Sequence, residues 1–239
     1  MAAFALIPGG GGDPWEWHRL VSELEARGHQ AIAVRLPAED DGAGWSEYAD
    51  AVVDALRDRS DVIIVAQSMG GFTAPIVCTR REVDLLVLVN AMIPVPGETF
   101  NAWWSNTGSG PARREYRERI GLESDDDAAI YYHDLPAELR AEALARRWQD
   151  QSAAPLDEPW PLEAWPDVPT RVLSGRHDRM FPLEFQRRVA RERLGLEIDE
   201  IDGGHMVAMS RPAELAARLE TYRVALHRGV SEGSPSRRI

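Results

Sequence analysis

A single cysteine, Cys78, stands in 239 residues, so the chain can form neither an internal disulfide nor a thiolate metal cluster. Its apolar neighbours mark it as a buried core thiol, in keeping with a reducing cytoplasm. No run approaches the roughly 20 apolar residues that a membrane span requires. The opening "MAAFALIPGG" lacks a basic n-region and has only a few apolar residues before Pro8. It reads as a first strand and not as a signal peptide, and the expected location is the cytoplasm. There is no H-E-x-x-H, no G-K-[ST] and no G-x-G-x-x-G opening a helix, which leaves no expected metal, nucleotide or other cofactor. A net charge of -12 and a pI near 5.0 argue against nucleic acid or an anionic membrane as partner, because both repel an acidic surface. The expected partner is a small molecule, with the chain acting as a monomer or homodimer.

What is present is an alternation of short apolar runs and amphipathic stretches, the pattern of a parallel sheet with crossover helices and hence of the α/β class. Strands are expected near 3–7, 30–35, 62–66, 84–90, 170–175 and 196–201, and helices near 15–27, 46–59, 71–81, 183–194 and 212–227. The rhythm breaks between 91 and 169, where "NAWWSNTGSGP", "LPAELRAEALARRW" and "PLDEPWPLEAWPDVP" supply helical and turn-rich pieces without a convincing strand. The expected division is an α/β core from 1–90 and 170–228, a helical cap over 91–169 and a disordered tail over 229–239.

Within "VIIVAQSMGGF", the β-branched run from Val62 to Val65 reads as a strand buried on both faces, and a helix follows from Phe72. Ser68 falls in the turn between them, with Ala66 two residues before it and Gly70 two after. That is the nucleophile-elbow spacing G-x-S-x-G with Ala in the first Gly position, which lets the chain turn sharply enough to hold the hydroxyl in the open. A serine hydroxyl is a poor nucleophile until a base takes its proton, so a histidine oriented by a carboxylate is expected downstream. "TRVLSGRHDRMFP" places Asp178 in the loop after one strand, and "IDGGHMVAMSRPAEL" places His205 in the loop after the next. Both loops leave the same sheet edge as Ser68. The rivals are His177, which comes too early for the order Ser, Asp, His, and Asp157, Asp167 and Asp202, of which the first two belong to the cap or its exit.

Acyl transfer also needs donors for the developing oxyanion. In "LIPGGGGDPWEWHRL" four glycines follow the first strand, and glycines let a backbone approach a ligand with its N–H groups pointing inward. The amides of Gly10 and of Met69, the residue after Ser68, are the expected donors. Gly9 and Gly11 of this loop and Met206 beside His205 are pocket candidates. From the Trp-rich cap, at least one of Phe100, Trp103 and Trp104 is expected to face the pocket, with Tyr131 and Tyr132 as further candidates. Aromatic walls favour apolar groups, so the expected ligand is a hydrophobic, uncharged molecule of modest size.

Over nearly its whole length the chain resembles the α/β-hydrolase superfamily, and more narrowly the branch of plant methylesterases, hydroxynitrile lyases and bacterial esterases. The resemblance rests on "LIPGGGGDPWEWHRL", "AQSMGG", "YYHDLPAELRAEAL", "GRHDRMFPLEFQRR" and "GGHMVAMSRPAEL". It implies a six-stranded parallel sheet in the order 2-1-3-4-5-6, a triad of Ser68, Asp178 and His205, oxyanion amides at Gly10 and Met69, and a small-molecule ester as substrate. One departure is Pro8, where the branch usually has a His that steadies the loop. The lyases of the branch carry Lys after the histidine and Thr at the position of Gly9. Met206 and Gly9 are similar to the esterases instead. The expected reaction is ester hydrolysis through an acyl-enzyme, the alternative being a non-hydrolytic lyase or cyclase of the same fold.

Overall fold

The computed structural model describes residues 1–124 and 126–232. Six strands, β1 (Ala3–Ile7), β2 (Gln30–Ala33), β3 (Val62–Ser68), β4 (Leu85–Ala91), β5 (Thr170–Gly175) and β6 (Ile198–Ile201), form one sheet in the order β2-β1-β3-β4-β5-β6. Every neighbouring pair is parallel. This is the expected sheet of an α/β hydrolase.

The helices of the core are α1 (His18–Glu25), α2 (Trp45–Leu56) and α3 (Gly70–Arg80). Those between β4 and β5 are α4 (Phe100–Asn106), α5 (Ser109–Ile120), α6 (Asp127–Ile130), α7 (Ala137–Ala145) and α8 (Ala154–Asp157). After β5 come α9 (Leu183–Leu194), α10 (Val207–Ser210) and α11 (Pro212–Glu232). The last helix therefore includes the first four residues of the tail expected from 229, and residues 233–239 lie outside the described part. Among the described residues no helix is long and apolar enough to cross a membrane.

The sheet is buried on both faces because side chains alternate along each strand. Ala5, Ile7, Ile64, Ala66, Leu86 and Leu88 pack on one side with α2, α3 and α9. Phe4, Leu6, Ile63, Val65, Val87 and Leu173 pack on the other with α1 and α11. The cap is fixed to the first of these layers by aromatic contacts. Trp160 is 2% exposed and donates its indole N–H to the Phe72 carbonyl at 2.9 Å, and Phe72 in turn stacks on Trp45.

Parallel strands bring their C-terminal ends to one edge, and five loops converge there, after β1, β3, β4, β5 and β6. The β4 partner of β3 carries a bulge: Gln67 pairs with Val89 but Ser68 with Ala91, so Asn90 is the extra residue, at φ +47°. This irregularity turns the Asn90 side chain toward the loops of β5 and β6.

Candidate active site

The β3–α3 turn puts Ser68 at φ +49°, a left-handed conformation that serine rarely adopts and that persists only where the surroundings impose it. The neighbours have been reduced to hydrogen to allow it. A Cβ on Gly70 would lie 2.7 Å from the Pro8 carbonyl oxygen, and one on Gly71 would overlap the Met92 carbonyl. On the facing loop, a Cβ on Gly9 would lie 3.1 Å from Ser68 Cβ and 3.6 Å from its Oγ. Gly9, Gly10, Ser68, Met69 and His205 all border one cavity of about 340 Å³.

His205 is 2% exposed, and its Nδ1 lies 2.8 Å from Oδ2 of the fully buried Asp178. The Asp178 carboxylate is itself held: Oδ1 accepts from the amides of Met180 and Phe181, each at 2.8 Å. Because Nδ1 is committed to Asp178, Nε2 on the opposite side of the ring is the nitrogen left to serve the cavity. The His205 backbone is gripped from below. Asn90 Nδ2 donates to the carbonyls of Gly204 and His205 at 3.0 and 2.9 Å, and Gln67 Nε2 donates to the His205 carbonyl at 3.0 Å. Asn90 Oδ1 accepts from the Gly175 amide at 2.7 Å, which ties the loops after β5 and β6 to the bulge in β4. From above, Asp134 of the cap accepts from the Gly204 amide at 2.7 Å, which explains why "YYHDL" precedes α7.

The rival residues lie elsewhere. His177 pairs with Asp202 at 2.8 Å on the surface, both side chains 58% exposed. Asp157 is engaged with Asn101, and Asp167 is exposed.

The Gly-rich loop keeps its shape without a histidine at Pro8. Gly12 donates to the Gly9 carbonyl, Leu36 donates to the Gly12 carbonyl, and the Gly11 amide donates to Gln151 Oε1 of the cap at 3.0 Å. That last bond moves one candidate out of the pocket: Gly11, at φ +80°, packs against the Gln149 backbone and not against the cavity. Trp103 is the second correction. It is 1% exposed, donates its indole N–H to the Ile93 carbonyl at 3.1 Å and packs on Phe181 and Phe185. Its neighbour Trp104, whose ring meets that of Trp103 edge to face at 5.3 Å, borders the cavity with Phe100, Tyr131, Tyr132 and Met206.

Six lining residues were not expected: Glu16, Gln67, Met92, Asp127, Trp148 and Met180. Gln67 adjoins Ser68 in sequence and Met180 lies two residues after Asp178, which was an available signal. Glu16 lies in the short 3-10 turn Pro14–Trp17 after the glycines. Burial pushes its carboxyl up from 4.5 to about 8, opposed by a hydrogen bond from Gly9 and reinforced by Asp13. Tyr131 is raised as well, chiefly by burial.

The sequence model of the family described as the alpha/beta hydrolase family matches residues 4–218. The chain is 23% identical over 244 residues to Methylesterase 3 of Arabidopsis thaliana, covering 90% of this chain and 93% of that one. It is 28% identical over 255 residues to Esterase PIR7B of Oryza sativa subsp. japonica, covering 89% and 92%. Among solved structures it is similar to a pyrethroid hydrolase from Sphingobium faniae, with a TM-score of 0.74 at 20% identity over 94% of this chain and 98% of that chain. At that identity the last likeness speaks for the fold.

Proposed function

Because the chain belongs to the α/β hydrolase family, we propose that it is a serine hydrolase cleaving small, uncharged carboxylic esters through an acyl-enzyme at Ser68. The observation that carries this reading is the buried His205–Asp178 pair opening onto the cavity that holds Ser68 in its strained turn. In this reading Nε2 of His205 takes the proton of Ser68 Oγ as that oxygen attacks the ester carbonyl. The Asp178 carboxylate holds the imidazole in the required tautomer and stabilises the imidazolium. The oxyanion of the tetrahedral intermediate lies against the amides of Gly10 and Met69, whose residues adjoin: a Cβ on Gly10 would lie 3.9 Å from Met69 Sδ. Collapse breaks the carbon–oxygen bond to the alcohol, which leaves with the proton from His205. Water, deprotonated by His205, then attacks the acyl carbonyl and restores Ser68.

Relatives that match over nearly their whole length carry the names methylesterase and esterase, which supports hydrolysis of an ester and does not favour the lyase or cyclase alternative. Phe100, Trp104, Tyr131, Tyr132 and Trp148 give the cavity apolar walls suited to hydrophobic groups. The test is turnover of p-nitrophenyl esters of graded acyl length by the wild type and by Ser68→Ala, together with fluorophosphonate labelling. We expect labelling at Ser68 and a loss of several orders of magnitude in kcat for the variant. Turnover by Ser68→Ala close to that of the wild type would refute the mechanism.

A further inference from the structure

The mechanism makes no use of Glu16, yet this residue borders the same cavity as Ser68 and His205. It is 9% exposed, and its Oε2 is buried with no hydrogen-bond partner among the described residues. Carboxyl oxygens removed from water are ordinarily paired, because an unmade bond costs the desolvation of the group. A second buried acceptor, Gln67 Oε1, is also without a partner among the described residues and belongs to another residue of the same lining. The cavity thus combines aromatic walls with two polar atoms that the protein itself leaves unserved.

We propose that Glu16 is a specificity-determining residue, and that the preferred substrate is an ester bearing a hydroxyl group that hydrogen-bonds to Glu16 Oε2. The inference deepens the hydrolase reading and rests on it for the reaction. The choice of a hydroxyl follows from what surrounds the carboxyl. Tyr131 and Tyr132 border the same cavity, burial strips the carboxyl of water, and the charge of Asp13 acts on it. This is a setting that penalises ionisation, so an ammonium partner would have to be desolvated together with the charge it creates. A hydroxyl is neutral and both donates and accepts. It can therefore satisfy the carboxyl whether or not it carries its proton. Burial that raises the Glu16 carboxyl to about 8 is in line with the protonated form at neutral pH.

The test reads binding and needs no turnover. Ser68→Ala is titrated by calorimetry with methyl 3-phenylpropanoate, its 2-hydroxy and 3-hydroxy derivatives, its 2-hydroxyethyl ester and the 3-amino analogue. One hydroxylated ligand should bind about five- to tenfold more tightly than its parent, the range of one neutral hydrogen bond. With Glu16→Met added, a change of similar volume, the ratio of hydroxylated to parent affinity should fall to within about twofold, whatever the variant does to the parent's own affinity. Should the Glu16→Met protein fail to fold, the isosteric Glu16→Gln carries the test, and the preference must shift by at least about twofold. A hydroxyl preference that persists unchanged in the variants, the absence of any preference in Ser68→Ala alone, or tighter binding of the amino analogue would each overturn the proposal. Failure of the wild type to hydrolyse any ester is a separate result. It would remove the hydrolase reading while leaving the role of Glu16 in binding to be read from the same titrations.

Discussion

Nδ1 of His205 and Oδ2 of Asp178 lie 2.8 Å apart in a pair closed to solvent, and the second carboxylate oxygen is fixed by the amides of Met180 and Phe181. Asp178 is thereby unable to rotate away, and the imidazole inherits that rigidity. Replacing the carboxylate by an amide turns the acceptor facing Nδ1 into a possible donor and favours the wrong tautomer. Asp178→Asn should lower kcat for p-nitrophenyl ester hydrolysis by about 10³ to 10⁴. Asp202→Asn should change it less than about threefold, because Asp202 serves His177 on the surface. An equal loss in the two variants would show that the acid has been misassigned.

The left-handed backbone at Ser68 yields a second prediction, on stability. Glycine takes this conformation without a Cβ penalty, so Ser68→Gly should abolish ester turnover yet raise stability by about 1 kcal/mol, read as a higher urea midpoint. Ser68→Ala keeps the strain and should leave the midpoint near that of the wild type. A lower midpoint for Ser68→Gly would mean that the turn is not strained by its side chain.

Much of this arrangement was legible in the chain because its determinants are local. Short apolar runs mark most of the strands, small residues flank Ser68, and the chain order Ser68, Asp178, His205 follows from loops at one sheet edge. What was not legible depends on tertiary direction. Trp103 and Trp104 are adjacent on one helix with their rings in contact at 5.3 Å, so composition assigns them alike, while burial separates a core residue from one that borders the cavity. Gly11 resembles Gly10 until Gln151 of the cap claims its amide. Asn90 reads as an ordinary position in an apolar strand, and only the one-residue bulge against β3 reveals that its side chain ties the loops after β5 and β6 to β4.

The difference between the two tryptophans is itself measurable. Trp103 is a core residue with its indole N–H satisfied, and Trp103→Ala should cost about 3 to 5 kcal/mol in chemical denaturation. Trp104 is only partly buried and borders the cavity. Trp104→Ala should cost less in stability and instead raise KM for long-chain or aryl esters while sparing p-nitrophenyl acetate. If Trp103→Ala were the variant that altered the substrate profile, the roles of the two residues would have been assigned the wrong way round.

The buried carboxyl of Glu16 makes the last prediction, which concerns pH. In the folded chain burial holds its proton up to about pH 8, whereas an exposed glutamate loses it near 4.5. Between those values the folded state binds more protons than the unfolded state, so this group's contribution is fully present below about 4.5 and is lost as pH rises through 8. The loss is of order a few kcal/mol. Burial is the largest cause of this shift; the charge of Asp13 reinforces it and the hydrogen bond from Gly9 opposes it. Glutamine has the same shape and no proton to lose. Glu16→Gln should therefore match the wild type in Tm below about pH 4.5 and exceed it increasingly from there to about pH 8, the gap levelling off above that. Parallel Tm curves across that range would mean that the carboxyl ionises in the folded chain as readily as in water, and that the cavity is wetter around Glu16 than its burial implies.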